Sequence, residues 1–152
     1  MNIKIKRIKD LPELMEWRVE VIANVFGVIA DAQLAEANYV YYNEHINDET
    51  HIAVEAICDG QKAGCGAICL SDELPSPDNS TGRCAYLMNI YVREPFRRHG
   101  VAHAIVSHLV DLAKEKKCGK IYLETTPEGR HVYESLGFRN LPDMMKLSTQ
   151  KL

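Results

Sequence analysis

With 152 residues, 46% of them hydrophobic and 26% charged, the chain is predicted to fold as one domain, residues 1–152, and not to be disordered. The net charge of −3 argues against a broad nucleic-acid-binding surface, which would need a basic excess. No apolar run approaches the roughly 18 residues of a membrane span and the N-terminus has no signal-peptide pattern, so a cytoplasmic protein is predicted.

The N-terminal half of the sequence predicts a strand, two helices and a β-hairpin. Alternating isoleucines mark a strand within residues 3–8, and Asp10 follows as the N-cap of a helix that ends at Gly27. Asp31 caps a second helix, which runs through residues 32–46. Two β-rich runs joined by an Asp-Gly turn then predict a hairpin, because Asp-Gly favours the left-handed backbone of a two-residue turn.

The C-terminal half adds helices and further strands around one apolar strand. Its predicted segments are a loop at 71–83, a strand at 84–92, a helix at 100–119, a strand at 120–126, a short helix at 127–137 and a final strand or hairpin at 138–148. The strand at 84–92 is almost continuously apolar, which is typical of a strand buried on both faces. The element order β-α-α-β-β-β-α-β-α-β predicts an α/β or α+β fold around one mixed sheet.

The cysteines are predicted to be reduced core thiols. They are an odd number without paired Cys-x-x-Cys spacing, and most lie in apolar runs, where cysteine acts as a small hydrophobe. No His, Cys and Asp cluster has the spacing of metal ligands, so no metal is expected. The cysteines are Cys58, Cys65, Cys69, Cys84 and Cys118.

The segment REPFRRHGVAHAI, residues 93–105, places positive charge at the start of a helix, where the macrodipole is already positive. Arg97, Gly100 and Ala102 have the spacing R-x-x-G-x-A. The glycine permits a sharp turn, and the free N–H groups of the first helical turn can surround an oxyanion. No G-K-[ST] and no further glycine follows, so the segment is neither a P-loop nor a Rossmann fingerprint. An anion-binding helix start is one interpretation, and a solvated basic turn is the other.

Residues 86–138, from YLMNIYV through this turn to VYESLGF, resemble the core of the GNAT superfamily of acyl-CoA-dependent N-acyltransferases in one collinear run. The hairpin and the two N-terminal helices fit the same fold. The resemblance implies a mixed sheet with a splayed central strand pair, flanked by about four helices. It also implies an N-acetyltransferase that moves the acetyl group of acetyl-CoA to a primary amine by direct attack in a ternary complex, with no covalent enzyme intermediate.

The resemblance also implies where acetyl-CoA binds. The residues that would hold the pyrophosphate are Arg97, Arg98, His99, Gly100, Val101, Ala102 and His103. The strand residues whose backbone would pair with the pantetheine arm are Asn89, Ile90, Tyr91 and Val92. The residues that would flank the other side of the arm are Thr125, Thr126 and Gly129. An N–H near Ile90 or Tyr91 would hold the oxyanion of the reacting carbonyl.

Tyr133 stands where many family members place a tyrosine that protonates the departing thiolate. The alternative is a core tyrosine whose hydroxyl lies at the surface. The strand at 84–92 lacks the glutamate that often acts as general base in the family, so other groups must be considered. The candidates for the base are Glu55, Asp72, Glu124 or a water chain. The chain also departs from the family pattern at Pro95, which is displaced by one position, and at Thr126, where asparagine is frequent.

The acceptor, a small-molecule or peptide amine, has no recognisable code in the sequence. Tyr39, Tyr41 and Tyr42 on the second helix either line an acceptor pocket or pack in the core. A homodimer is possible, since dimers are common in similar proteins. Two other functions stay open from the sequence: a non-catalytic acyl-CoA-binding sensor, and a phosphate- or nucleotide-binding interaction domain that binds ADP without needing pantetheine.

Overall fold

The computed structural model describes residues 1–150, so the last two residues of the predicted domain, 151–152, lie outside the described part of the chain. The strands are β1 (Ile3–Ile8), β2 (His51–Cys58), β3 (Gln61–Asp72), β4 (Arg83–Val92) and β5 (Lys120–Leu123). The helices are α1 (Leu11–Val21), α2 (Ala32–Asn47), α3 (Val101–Glu115) and α4 (Arg130–Ser135). A π-helical turn (Ile22–Phe26) extends α1, and a 3₁₀ turn (Glu94–Phe96) follows β4.

The strands of residues 1–150 form one mixed sheet in the order β1-β2-β3-β4-β5. Strands β1 to β4 are antiparallel neighbours, and β5 lies parallel to β4 because α3 makes the crossover between them. The predicted mixed sheet flanked by four helices is confirmed. β4 and β5 pair only from Cys84–Lys120 to Leu87–Leu123, and β4 then continues to Val92 without β5 beside it. The two strands therefore part after Leu87, as the family resemblance implies.

The predicted final strand or hairpin at 138–148 is wrong, because no strand follows β5 within residues 1–150. Pro142 has no N–H to offer a neighbouring strand. Met145 and Leu147 find no sheet face to cover and are 96% and 87% exposed. Without this strand β5 remains at the edge, so the splayed pair lies at the edge of the described sheet and not at its centre.

Helices cover both faces of the sheet. α3 has a strongly apolar stripe and buries Ile105 and Leu109 against Val54 of β2. On the opposite face, α1 and α2 bury Trp17 and Tyr42. Because side chains alternate along a strand, neighbouring residues of β2 contribute to the two cores in turn. No helix among residues 1–150 has the length and apolar character needed to cross a membrane.

Both predicted N-caps are confirmed. The Asp10 carboxylate accepts a hydrogen bond from the Glu13 N–H at 3.2 Å, and the Asp31 carboxylate accepts one from the Leu34 N–H at 2.8 Å. Gly27 ends the helical segment in the left-handed region, at φ +71°. Local chemistry therefore sets the limits of the first two helices, as the sequence predicts.

The cysteines are free thiols, and Cys58, Cys65 and Cys84 are buried. Burial raises the pKa of the Cys65 thiol, so this side chain stays protonated and behaves as a small apolar residue. Cys69 and Cys118 are half-buried.

An ion pair holds the C-terminal end of β4 against α1. The Arg93 guanidinium donates two hydrogen bonds of 2.9 Å to the Glu20 carboxylate, and it lies 4.5 Å above the centre of the Trp17 ring. The Arg93 guanidinium lowers the pKa of the Glu20 carboxyl by hydrogen bonding and charge. The pair therefore stabilises the fold fully at pH values above the pKa of an unfolded glutamate, which is about 4.3. This contribution is lost as the pH falls further, through the lower pKa of Glu20 in the folded protein.

Glu20→Gln is accordingly expected to lower the free energy of unfolding at pH 7 by roughly 0.5–1 kcal/mol, the range for a partly exposed pair. The difference in the free energy of unfolding between the variant and the parent protein should shrink as the pH falls below about 4, where Glu20 becomes protonated first in the unfolded chain and then in the folded protein. Urea denaturation at several pH values measures both quantities. A difference that stays constant with pH would show that the charge of Glu20 contributes nothing.

Candidate active site

The turn between β4 and α3 leaves the start of α3 open. Arg98 and Gly100 both have left-handed backbones, at φ +65° and +80°. Gly100 is the N-cap and no side chain caps this helix, so the first N–H groups, from Val101 to His103, lack intrahelical acceptors. A Cβ added to Gly100 would meet nothing within 4 Å. The helix start therefore has both unpaired donors and room for an anion.

The side chains of Arg97, Arg98 and His99 are exposed, and none of the ion pairs within residues 1–150 involves them. Arg98 and His99 directly precede Gly100, the N-cap of α3. Arg97 folds back instead, and its Nε donates to the Val92 carbonyl at 2.9 Å. The Arg97 side chain thus fixes the turn against the end of β4. An anion at the start of α3 would therefore meet arginine side chains that no carboxylate pairs within residues 1–150.

The gap between β4 and β5 opens after Leu87 and runs along β4 to Val92, directly before this turn. Between the pairs Ala67–Met88 and Cys65–Tyr91 the register shifts, so Asn89 and Ile90 form a bulge in β4. Asn89 has φ +59°. Its side-chain oxygen accepts from Arg18 Nη1 at 2.8 Å, and its carbonyl accepts from the Cys65 thiol at 3.4 Å. The Asn89 side chain thus contacts α1, and the bulge bends β4 where it leaves β5.

The other side of the gap is a turn that leads into α4. The predicted strand at 120–126 ends at Leu123, and Thr125 and Thr126 lie in the exposed turn that follows. Both the hydroxyl and the carbonyl of Thr126 accept from the Gly129 N–H, at 3.3 and 3.2 Å. These bonds bend the chain away from the sheet. Because β5 runs parallel to β4 and their pairing ends at Leu87–Leu123, this turn begins where the gap opens.

Tyr133 of α4 is half-buried between the core and this turn. Its ring packs edge-on against Phe138, with the ring centres 5.9 Å apart, and Cε2 lies 3.6 Å from the Cβ position of Gly129. The hydroxyl forms no side-chain hydrogen bond within residues 1–150. Burial raises the pKa of Tyr133 above its ordinary value, so the phenol carries its proton at neutral pH. Both a proton-donor role and a packing role agree with this position.

The three candidate bases lie in different surroundings. Glu55 is 1% exposed, and its carboxylate already accepts from Trp17 Nε1 at 2.9 Å under α1. Asp72 pairs in register with Arg83, at the end of β4 away from the gap. Glu124 directly follows the last β4–β5 pair and accepts a hydrogen bond from the Tyr86 hydroxyl at 3.3 Å. Of the three, the structure brings Glu124 to the edge of the gap.

A cavity of about 210 Å³ lies between the sheet and the first two helices, on the face of β4 opposite to α3. Its lining residues are Arg18 of α1, Asn38, Tyr41 and Tyr42 of α2, His51 of β2 and Met88 of β4. We refer to it as the α2 cavity. Met88 directly follows the last β4–β5 pair, so the cavity adjoins the gap.

The sequence left two interpretations of the α2 tyrosines open, an acceptor pocket or core packing. Tyr41 and Tyr42 line the α2 cavity, Tyr42 is also buried in the core, and Tyr39 is exposed. Arg18 and His51 were missed. The available signal was a histidine at the start of an otherwise apolar strand and a lone arginine beside the buried Trp17.

The sequence profile of the "Acetyltransferase (GNAT) family" matches residues 13–138. The matched region includes the turn at the start of α3, the gap between β4 and β5, the α2 cavity and Tyr133. The chain belongs to this family. The predicted class, an acyltransferase that uses acetyl-CoA, is confirmed.

Individual relatives agree with this assignment. The chain is 28% identical over 126 residues to N-alpha-acetyltransferase 30 of Saccharomyces cerevisiae, a match that covers 78% of this chain and 69% of the yeast protein. It is similar in fold to a predicted acetyltransferase from Clostridium acetobutylicum solved with acetyl-CoA, with a TM-score of 0.84, 24% identity and coverage of 97% and 96% of the two chains. The aminoglycoside acetyltransferase AAC(6')-Iy, solved with a bisubstrate analogue, has a TM-score of 0.76 at 17% identity and coverage of 99% and 100%.

Proposed function

We propose that this protein is an N-acetyltransferase that moves the acetyl group of acetyl-CoA to a primary amine by direct attack in a ternary complex. One observation carries the proposal: the open, positively charged start of α3 follows directly on the part of β4 that has lost β5 as its neighbour. The proposed phosphate site is thus continuous with the gap beside β4, where β4 has no neighbouring strand on the β5 side. An extended ligand with an anionic end and an amide-containing arm suits such a surface.

The start of α3 is the proposed pyrophosphate site. The N–H groups of its first turn donate to the phosphate oxygens, Arg98 adds positive charge, and His99 offers a ring N–H. Because its Nε is engaged by the Val92 carbonyl, Arg97 contributes through its remaining guanidinium N–H groups and by fixing the turn. The small Gly100 leaves the space that the phosphates need.

The gap between β4 and β5 is the proposed site of the pantetheine arm. The backbone of Asn89 to Val92 forms one wall, and Thr125, Thr126 and Gly129 flank the other. When bound, acetyl-CoA supplies an activated acetyl group and a thiolate leaving group. Tyr133 holds the proton for that thiolate, and an N–H near Ile90 or Tyr91 stabilises the oxyanion. Glu124, or water beside it, accepts the proton of the attacking amine, because it is the candidate base that adjoins the gap.

The test is acetyl transfer to a panel of amines: polyamines, amino acids, aminoglycosides and peptide N-termini. Thiol release from acetyl-CoA and the mass of the product are measured together, and at least one class of amine should give turnover within the usual enzymatic range of about 1–10³ s⁻¹. Tight binding of coenzyme A without transfer to any amine would contradict the proposal and favour the sensor. Equal affinity for ADP and coenzyme A would favour the phosphate-binding domain.

A further inference from the structure

The α2 cavity contains a buried polar atom without a partner. His51 is 1% exposed, and its Nδ1 lies 2.8 Å from the Tyr41 hydroxyl. Its Nε2 is fully buried and has no hydrogen-bond partner among residues 1–150. Such atoms are rare in folded proteins, because the lost hydration is not replaced. His51 is one of the residues that line the cavity, and a buried ring nitrogen without a partner on such a residue points to a ligand.

The hydrogen bonds around Tyr41 decide which ring nitrogen of His51 carries the proton. Burial lowers the pKa of His51 to about 4, so the ring is neutral at pH 7 and has one N–H. The Tyr41 hydroxyl contacts both His51 Nδ1, at 2.8 Å, and the Cys69 sulfur, at 3.3 Å. A phenol is a stronger donor than a thiol, and an imidazole nitrogen is a stronger acceptor than sulfur. We therefore assign the Tyr41 proton to the bond with Nδ1, which leaves Nε2–H as a buried donor without a partner within residues 1–150.

Arg18 brings an uncompensated positive charge to the same cavity. Its Nε donates to Asn38 Oδ1 at 3.0 Å, and its Nη1 donates to Asn89 Oδ1 at 2.8 Å. Two neutral amides therefore fix the guanidinium. No carboxylate lies within 4.0 Å of it in the described part of the chain. No acidic residue lines the cavity either.

We propose that the α2 cavity binds a carboxylate or phosphate carried by the amine acceptor, through the guanidinium of Arg18 and the Nε2–H of His51. This inference rests on the proposed function, since Met88 brings the cavity to the place where β4 leaves β5. An oxyanion of the acceptor supplies the acceptor atom that His51 lacks and the charge that Arg18 lacks. A polyamine without an acidic group meets a positive charge in the cavity and is disfavoured.

Matched pairs of amines test the proposal. An α-amino acid is compared with its amide, and an amino sugar phosphate with the free amino sugar, so that each pair differs in the anionic group alone. The anionic member should have the higher kcat/KM by about 10- to 100-fold, the usual worth of hydrogen bonds to a charged group. Preference within the first pair indicates a carboxylate, and preference within the second indicates a phosphate.

Arg18→Gln should abolish the preference by raising KM for the anionic member while leaving kcat nearly unchanged, because binding is lost equally in the ground and transition states. Arg7→Gln is the matched control, because it removes the same charge from an exposed pair with Glu49 on β1 and should preserve the preference. If amines are acetylated with no preference for the anionic member, this inference fails and the proposed function stands.

A readout without turnover keeps the inference testable if no amine is acetylated. In NMR spectra of the protein with ¹⁵N-labelled histidine, His51 should carry its proton on Nε2, and that resonance should shift on addition of the anionic compound and not of its neutral match. His51→Phe should weaken binding of the same compound in calorimetry. A proton on Nδ1, or identical responses to both members of each pair, would overturn the assignment.

Discussion

Tyr133→Phe is expected to lower kcat by roughly 100-fold or more and to leave the affinity for acetyl-CoA nearly unchanged, since general acids contribute about 10²–10⁴-fold to rate. The phenol is half-buried next to Gly129 and its raised pKa keeps it protonated at neutral pH. Phenylalanine retains the edge-on contact with Phe138, so the substitution removes the proton and little of the packing.

Tyr122→Phe is the matched control, because Tyr122 lies in the part of β5 that is paired with β4, and phenylalanine keeps the packing of its ring against Tyr86. It should keep the parent kcat. Steady-state kinetics on an acetylated amine, with calorimetry of acetyl-CoA, separates the two effects for both variants. A folded Tyr133→Phe enzyme with unchanged kcat and a lower Tm would show that Tyr133 is a core residue and that water protonates the thiolate.

The features predicted correctly are those that short stretches of sequence determine. Asp10 and Asp31 cap their helices through bonds to residues three positions later, so the sequence contains the whole interaction. Gly100 was predicted as a turn residue, and its φ of +80° is a local requirement that glycine meets without strain. The order of the elements along the chain, as far as α4, was also predicted from local patterns such as the Asp-Gly turn between β2 and β3.

The C-terminal error has a physical origin. Residues 138–148 have a strand-like composition, but a strand also needs a free edge and a face on which to pack its apolar side chains. Composition does not report whether the chain beyond α4 returns to β5. In the structure it does not, and Met145 remains exposed.

From the sequence, the α2 cavity was no more than one of two interpretations of the α2 tyrosines, because it forms between distant parts of the chain. Arg18 and His51 are 33 positions apart, and Arg18 and Asn89 are 71 positions apart. The same limit applies to the candidate bases. The sequence does not distinguish Glu55 from Glu124. The structure does, because Trp17 packs over Glu55, whereas Glu124 directly follows the end of β5.

Gly100→Glu is expected to abolish binding of coenzyme A while the fold survives. A Cβ at Gly100 meets nothing within 4 Å, so the glutamate side chain can be placed without a clash, in the space proposed for the pyrophosphate. At about 4 Å and an effective dielectric constant near 20, two like charges repel by roughly 4 kcal/mol, which corresponds to about a 1,000-fold loss of affinity. The left-handed backbone at φ +80° adds strain that lowers stability and is independent of the ligand.

Calorimetric titration of coenzyme A into the parent protein, Gly100→Glu and Gly60→Glu is the most direct test of this site. Gly60, in the turn between β2 and β3, has φ +82° and equally open surroundings, so its variant carries the same strain far from α3. We predict that Gly60→Glu binds coenzyme A like the parent protein and that folded Gly100→Glu shows no measurable binding. Equal affinity of all three proteins would contradict the assignment of the α3 start as the pyrophosphate site.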